Sequence, residues 1–195
     1  MTEEETPPAR LALLGWFGAV WGFAGVSLLL ASAIRRLAPI ALDALSREFQ
    51  PRHWAGLALS VGSMAYYEGY RAFQRGFSPR VAARAKYLKE RPRLSHALLA
   101  PFFCMAFFHA PKRRIITSVS VTAGIILLVL MVRRLSQPWR GIVDGGVVVG
   151  LAWGLISLWI CAVCAFARPG YSHSPEVPAE GCFSPSDPSP QRRRV

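Results

Sequence analysis

Apolar residues in this chain are gathered into long runs, and the charged residues lie mostly between them. Leu11 to Ile34 holds no charged residue over 24 positions. As a helix rising about 1.5 Å per residue, such a run reaches about 35 Å and crosses the hydrocarbon of a bilayer with some tilt. The second run, Trp54 to Tyr70, is uninterrupted by charge only as far as Tyr67, but it carries Trp at one end and three Tyr at the other, as interfacial aromatic belts do. Leu94 to Ala110 and Ile115 to Val132 follow, separated by Pro111-Lys112-Arg113-Arg114, which reads as two spans joined at a charged tip. Ile142 to Ala167 is the last run. The pattern predicts an all-α, polytopic membrane protein with about five transmembrane helices, at 11–34, 54–70, 94–110, 115–132 and 142–167.

Three segments lie outside the runs. Residues 1–10 form an acidic leader with three Glu, unlike a basic transit peptide. Ala31-Ser32-Ala33 resembles a signal-peptidase site, but the apolar stretch before it is longer than a secretory h-region, so the first run is expected to remain as a span. Residues 169–195, rich in Pro, Ser and Arg, have no apolar period and read as a disordered tail. Between the second and third runs, Ser78-Pro79 starts a helix and Arg91-Pro92 ends it. Val81, Ala85 and Leu88 make an apolar stripe beside Arg80, Arg84, Lys86, Lys89 and Arg91, which predicts a short amphipathic basic helix lying on anionic head groups.

Composition narrows the class. The chain has 195 residues, 52% of them apolar, a mean hydropathy of +0.29 and a net charge of +12, which excludes a disordered nucleic-acid tail. The basic residues flank spans and belong to no nucleic-acid module, so no nucleic-acid partner is expected. The expected partners are anionic membrane lipids, together with a membrane-protein partner or a second copy of the chain. Arg supplies 20 of the 23 basic residues, consistent with a GC-rich genome and a multi-pass protein of a bacterial cytoplasmic membrane.

In a five-span layout Glu68, His96 and Asp144 all lie at one membrane face, a candidate catalytic set, because ionisable residues at membrane depth are costly and tend to face a bundle interior or a polar cavity. Arg71, Arg75 and Arg140, with Arg80 and Arg84, are the candidates for holding a polar or phosphorylated head group. The structural alternative pairs Glu68 with Arg71 and Asp144 with Arg140, and leaves His96 at the water interface.

Gly146, Gly150 and Gly154 make two GxxxG steps, and Gly18 with Gly22 another. These are packing faces where lipid gives helices no hydrophobic drive to associate. They are expected to join the first and last helices within one chain, with a contact between two chains as the alternative. Cys161 and Cys164 form a CxxC within an apolar helix, joined by Cys104 and Cys182, where cysteine usually serves as a small hydrophobe. His96 and His109 lie at opposite ends of one predicted helix, about 20 Å apart, and His53 with His109 has no supporting pattern for haem. No P-loop, dinucleotide fingerprint, HExxH or GxSxG occurs, and no cofactor or metal is expected. Two main functions remain open, a non-catalytic assembly factor or complex subunit and an enzyme acting on an amphiphilic lipid or isoprenoid by acid–base chemistry at Glu68, His96 and Asp144, with a dual-topology proton-coupled exporter as a minor third.

Overall fold

The computed structural model describes residues 9–91, 93–108 and 110–167; the leader before Ala9 and the tail from Arg168, with Cys182, lie outside them, as does His109. Among the described residues the chain is all-helical and has no strand. Three helices are long and apolar enough to cross a membrane: those covering Arg10–Leu45, Ile115–Val132 and Trp139–Ala167.

Helix α1, Ala9–Leu45, continues past Ile34 through Arg35, Arg36 and Pro39. The charges do not end it because they stay on its exposed side, while Ala41 and Ala44 on the buried side meet glycines of the last helix. Helix α2, Pro51–Met64, starts with proline in its first turn and with His53 Nδ1 accepting the Gln50 amide at 3.2 Å, which satisfies one of the amides that a helix start leaves without an intrahelical partner. It does not stop at Tyr70. It runs on as a π-helical stretch, Ala65–Phe77, and then as α3, Ser78–Glu90, with helical backbone at both junctions.

The basic segment therefore differs from expectation. α3 is not a separate helix on the membrane surface: Val81 to Ala85 and Leu88 are buried, packed between α1, the last helix and the segment that follows. Its run of small residues, Val81-Ala82-Ala83 and Ala85, lets neighbours close in on more than one side. Val81, Ala85 and Leu88 join Val26, Leu30, Phe103 and Leu158 in the main apolar core.

The third apolar run is corrected as well. Leu94 to Ala110 is not one helix of spanning length but two short ones, α4 (Leu94–Leu98) and α5 (Ala100–Cys104), broken at Leu99, with Pro101 in the first turn of α5. Together they cover about 16 Å. They descend along α1, Ala97 against Gly18, Ala100 and Cys104 against Gly22, and Pro101 against Gly25. Ala106 then takes φ 61° and the chain turns back, so that the Phe108 ring returns to within 5.8 Å of Phe103 and 6.0 Å of His96.

Helix α6, Lys112–Val132, touches this turn through Ser118 Oγ, which donates to the Met105 carbonyl at 3.1 Å. Most of its apolar side chains, from Ile116 to Met131, are exposed. Helix α7, Trp139–Ala167, lies in the groove between α1 and α2: Gly145 lies between Ala41 and Leu57, with 3.6 and 3.7 Å approaches to where its Cβ would stand. It runs antiparallel to α1, with Gly141 at Ala44, Trp159 at Phe23 and Phe166 at Trp16.

Candidate functional site

Each predicted functional residue can be placed on this frame. Glu68 lies in the π-helical stretch, half-buried, with its Oε2 buried and without a hydrogen-bond partner among the described residues. That oxygen stands 2.8 Å from where a Cβ on Gly150 would be, so the carboxylate occupies space that glycine leaves open. Asp144 is buried on the first turns of α7, and its Oδ2 lies 3.7 Å from Arg140 Nε one helical turn away. This is the pairing that the structural alternative anticipates. Glu68 does not pair with Arg71, which is exposed.

His96 is elsewhere. It is buried on α4 with its ring stacked 4.8 Å from that of Phe103. Its neighbour Ala97 and Leu88 of α3 both pack against Gly18. From Glu68 to Leu88 the helix advances roughly 25–30 Å, so His96 and Glu68 sit at well-separated levels of the bundle. The three ionisable residues do not converge on one reacting centre.

The arginines divide in the same way. Arg71 and Arg75 are exposed, and Arg75 lies over the Tyr70 ring at 5.8 Å. Arg80 is half-buried, and Arg84 is only 2% exposed. Arg84 Nη1 donates to the Phe103 carbonyl at 2.7 Å, and its guanidinium lies 4.9 Å from the Phe103 ring centroid. Tyr87 stacks on the same ring at 6.2 Å. This Arg84, His96 and Phe103 cluster is the polar feature that the sequence reading missed. The signal was present in the small residues on both sides of Arg84, which mark a closely packed helix rather than a solvated one.

The glycine faces do pack, but not on each other. Gly18 and Gly22 of α1 receive α3, α4 and α5; Gly146 of α7 meets Ser60, Gly150 meets Met64 and Glu68, and Gly154 meets the ring of Phe73, whose Cγ stands 2.5 Å from where a Cβ would be. The direct α1 to α7 contact uses Gly141, against Ile40 and Ala44, and Gly145, against Ala41. No disulfide joins Cys104, Cys161 and Cys164, and among the described residues no group of three His, Cys, Asp or Glu is placed to hold a metal. His53 caps α2 and packs on Trp139, with ring centroids 5.2 Å apart. Comparison with protein-family models, curated proteins and solved structures finds no match for this chain.

Proposed function

We propose that this protein is a non-catalytic component of a membrane assembly, an assembly factor or a complex subunit, in the cytoplasmic membrane of a bacterium. The observation that carries the reading is α6: a 21-residue apolar helix whose side chains are left almost uncovered while α1, the α2–α3 helix and α7 pack together. Within a membrane, association depends on shape and small residues rather than on hydrophobicity. α6 presents Thr117, Ser120 and Gly124 at helical spacing, and a Cβ on Gly124 would meet nothing within 4 Å. We assign α6 to contact with a partner. The chain crosses four times in this reading, by α1, α2–α3, α6 and α7, while α4 and α5 re-enter from one face.

The test is photocrosslinking in native membranes from residues placed at Val121, Ile125 and Leu128. A discrete protein adduct is expected, and lipid adducts alone at all three positions would overturn the reading. One observation favours the lipid-enzyme reading instead, the unpartnered Glu68 Oε2. That reading requires Glu68→Gln to abolish function at unchanged abundance.

A further inference from the structure

α1 is about 55 Å long and the continuous α2–α3 helix is of similar length, nearly twice the roughly 30 Å of bilayer hydrocarbon. Where the membrane grips this bundle can be read from its polar surface. Along α7, Trp159 meets Phe23 and Gly145 meets Ala41, which places Gly150 opposite the α1 segment near Arg35 and Arg36. Gly150 also touches Glu68, so the exposed Arg71 and Arg75 stand close to the same level on the other side of α7. None of these four arginines forms an ion pair among the described residues, whereas Arg47 pairs with Asp43 at 3.1 Å and Arg140 with Asp144.

Aromatic residues share this level. Tyr66, Tyr67 and Tyr70 are exposed, with Tyr66 against both of the others, and Trp153 donates from Nε1 to Gln74 Oε1 at 2.8 Å. Such amphipathic rings collect at membrane–water interfaces. A second belt lies at the other end. Lys89 Nζ sits 4.2 Å from the Trp16 ring centroid, and Trp16 stacks on Phe166 at 5.9 Å. Along α1, Trp16 and Arg35 are separated by about 29 Å, close to one hydrocarbon thickness. Between them α1 and α7 carry no charge, while on α3 Arg84 is turned into the core and Arg80 and Lys86 are half-buried. Beyond the waist, Asp43, Arg47, Glu48 and Arg52 follow within a few residues.

We propose that the waist formed by Arg35, Arg36, Arg71 and Arg75 binds the phosphates of anionic phospholipids, so that the bilayer covers the bundle from Trp16 to the waist and the α1–α2 hairpin projects from it. Guanidinium pairs phosphate oxygens through two parallel hydrogen bonds, and basic residues near a surface gain about 1 kcal/mol each from anionic lipid. The proposal rests on the membrane reading but not on a protein partner.

Two measurements on the full chain test it. A water-soluble maleimide should modify Leu42→Cys and spare Leu29→Cys in sealed, then opened, membranes, since both side chains are exposed on the bundle and only the bilayer distinguishes them. Solubilised protein offered phosphatidylglycerol and phosphatidylcholine should retain the anionic lipid preferentially, and this preference should fall about fivefold for each arginine changed to Gln. Equal modification of both cysteines, or equal retention of the two lipids, overturns the proposal. If the fourfold Gln variant does not fold, the fourfold Lys variant replaces it and must keep a preference for the anionic lipid. Release of the wild-type chain by alkaline carbonate would instead defeat the membrane reading itself.

Discussion

Arg84 reaches across 19 residues to donate a 2.7 Å hydrogen bond to the Phe103 carbonyl, and the same guanidinium covers the Phe103 ring. The relationship explains why the third apolar run can turn back. α5 ends one residue after Phe103, whose carbonyl takes the Ala106 amide at 3.0 Å where the chain reverses and has a second lone pair open to a further donor. Arg84, held in the core, is that second donor where water does not reach.

Arg84→Met should therefore destabilise the fold by about 2–3 kcal/mol, since it leaves a buried carbonyl without a charged donor. For a chain of this size that lowers the midpoint of heat unfolding by about 5–10 °C. Circular dichroism in detergent measures it, and an unchanged midpoint would remove Arg84 from this role.

The seam between α7 and the α2–α3 helix makes a graded prediction. A methyl on Gly150 would meet Glu68 Oε2 at 2.8 Å and the Met64 carbonyl at 3.2 Å, whereas one on Gly145 meets only ordinary contacts at 3.6 and 3.7 Å. Gly150→Leu should lower folded yield severely. Gly145→Ala should be neutral or gain up to about 1 kcal/mol from helix propensity. Folded yields by size-exclusion chromatography compare them; similar losses in both would contradict the assigned seam.

Trp16 and Phe166 stack at 5.9 Å near the two ends of the described chain, which places the start of α1 and the end of α7 together. Reporter fusions at the N- and C-termini should consequently report the same side of the membrane. Opposite sides would restore five crossings and would make Leu94 to Ala110 a full span.

Glu68 and His96 lie at different levels, so Glu68→Gln and His96→Gln should not show a shared loss of activity. The measurement is complementation of a deletion strain at matched protein abundance. Loss in both variants, with normal abundance, would favour the acid–base enzyme.

Much of this fold was legible in the spacing of charges. The first, fourth and fifth apolar runs each correspond to a long apolar helix. The errors arose where a local signal was outweighed by packing. The first run was bounded at Ile34 by the charges that follow, yet α7 packs against Ile40, Ala41 and Ala44 and the helix continues. Ser78-Pro79 marked a helix start, but proline is tolerated in a first turn, and the chain was already helical through the π stretch. Leu94 to Ala110 reads as a span by hydropathy alone, which does not register a reversal at Ala106. The functional residues were harder to place because co-location was inferred from five crossings. Because the helix carrying Glu68 continues through α3 to Glu90, His96 does not lie beside Glu68. The GxxxG faces lie against neighbouring helices, but their spacing gave no information on which ones, since a glycine ridge specifies close approach and not identity.

If α6 serves a partner rather than its own bundle, Gly124→Leu should break that contact. Among the described residues no atom outside its own helix lies within 4 Å of a Cβ placed there, so a side chain at this position starts into open space and blocks close approach from outside. Native gel electrophoresis of mildly solubilised membranes should show the wild-type chain in a larger assembly and the variant released from it, at equal abundance and equal heat stability. An assembly of unchanged size in the variant, or a wild-type chain that migrates alone, would mean that α6 has no such partner.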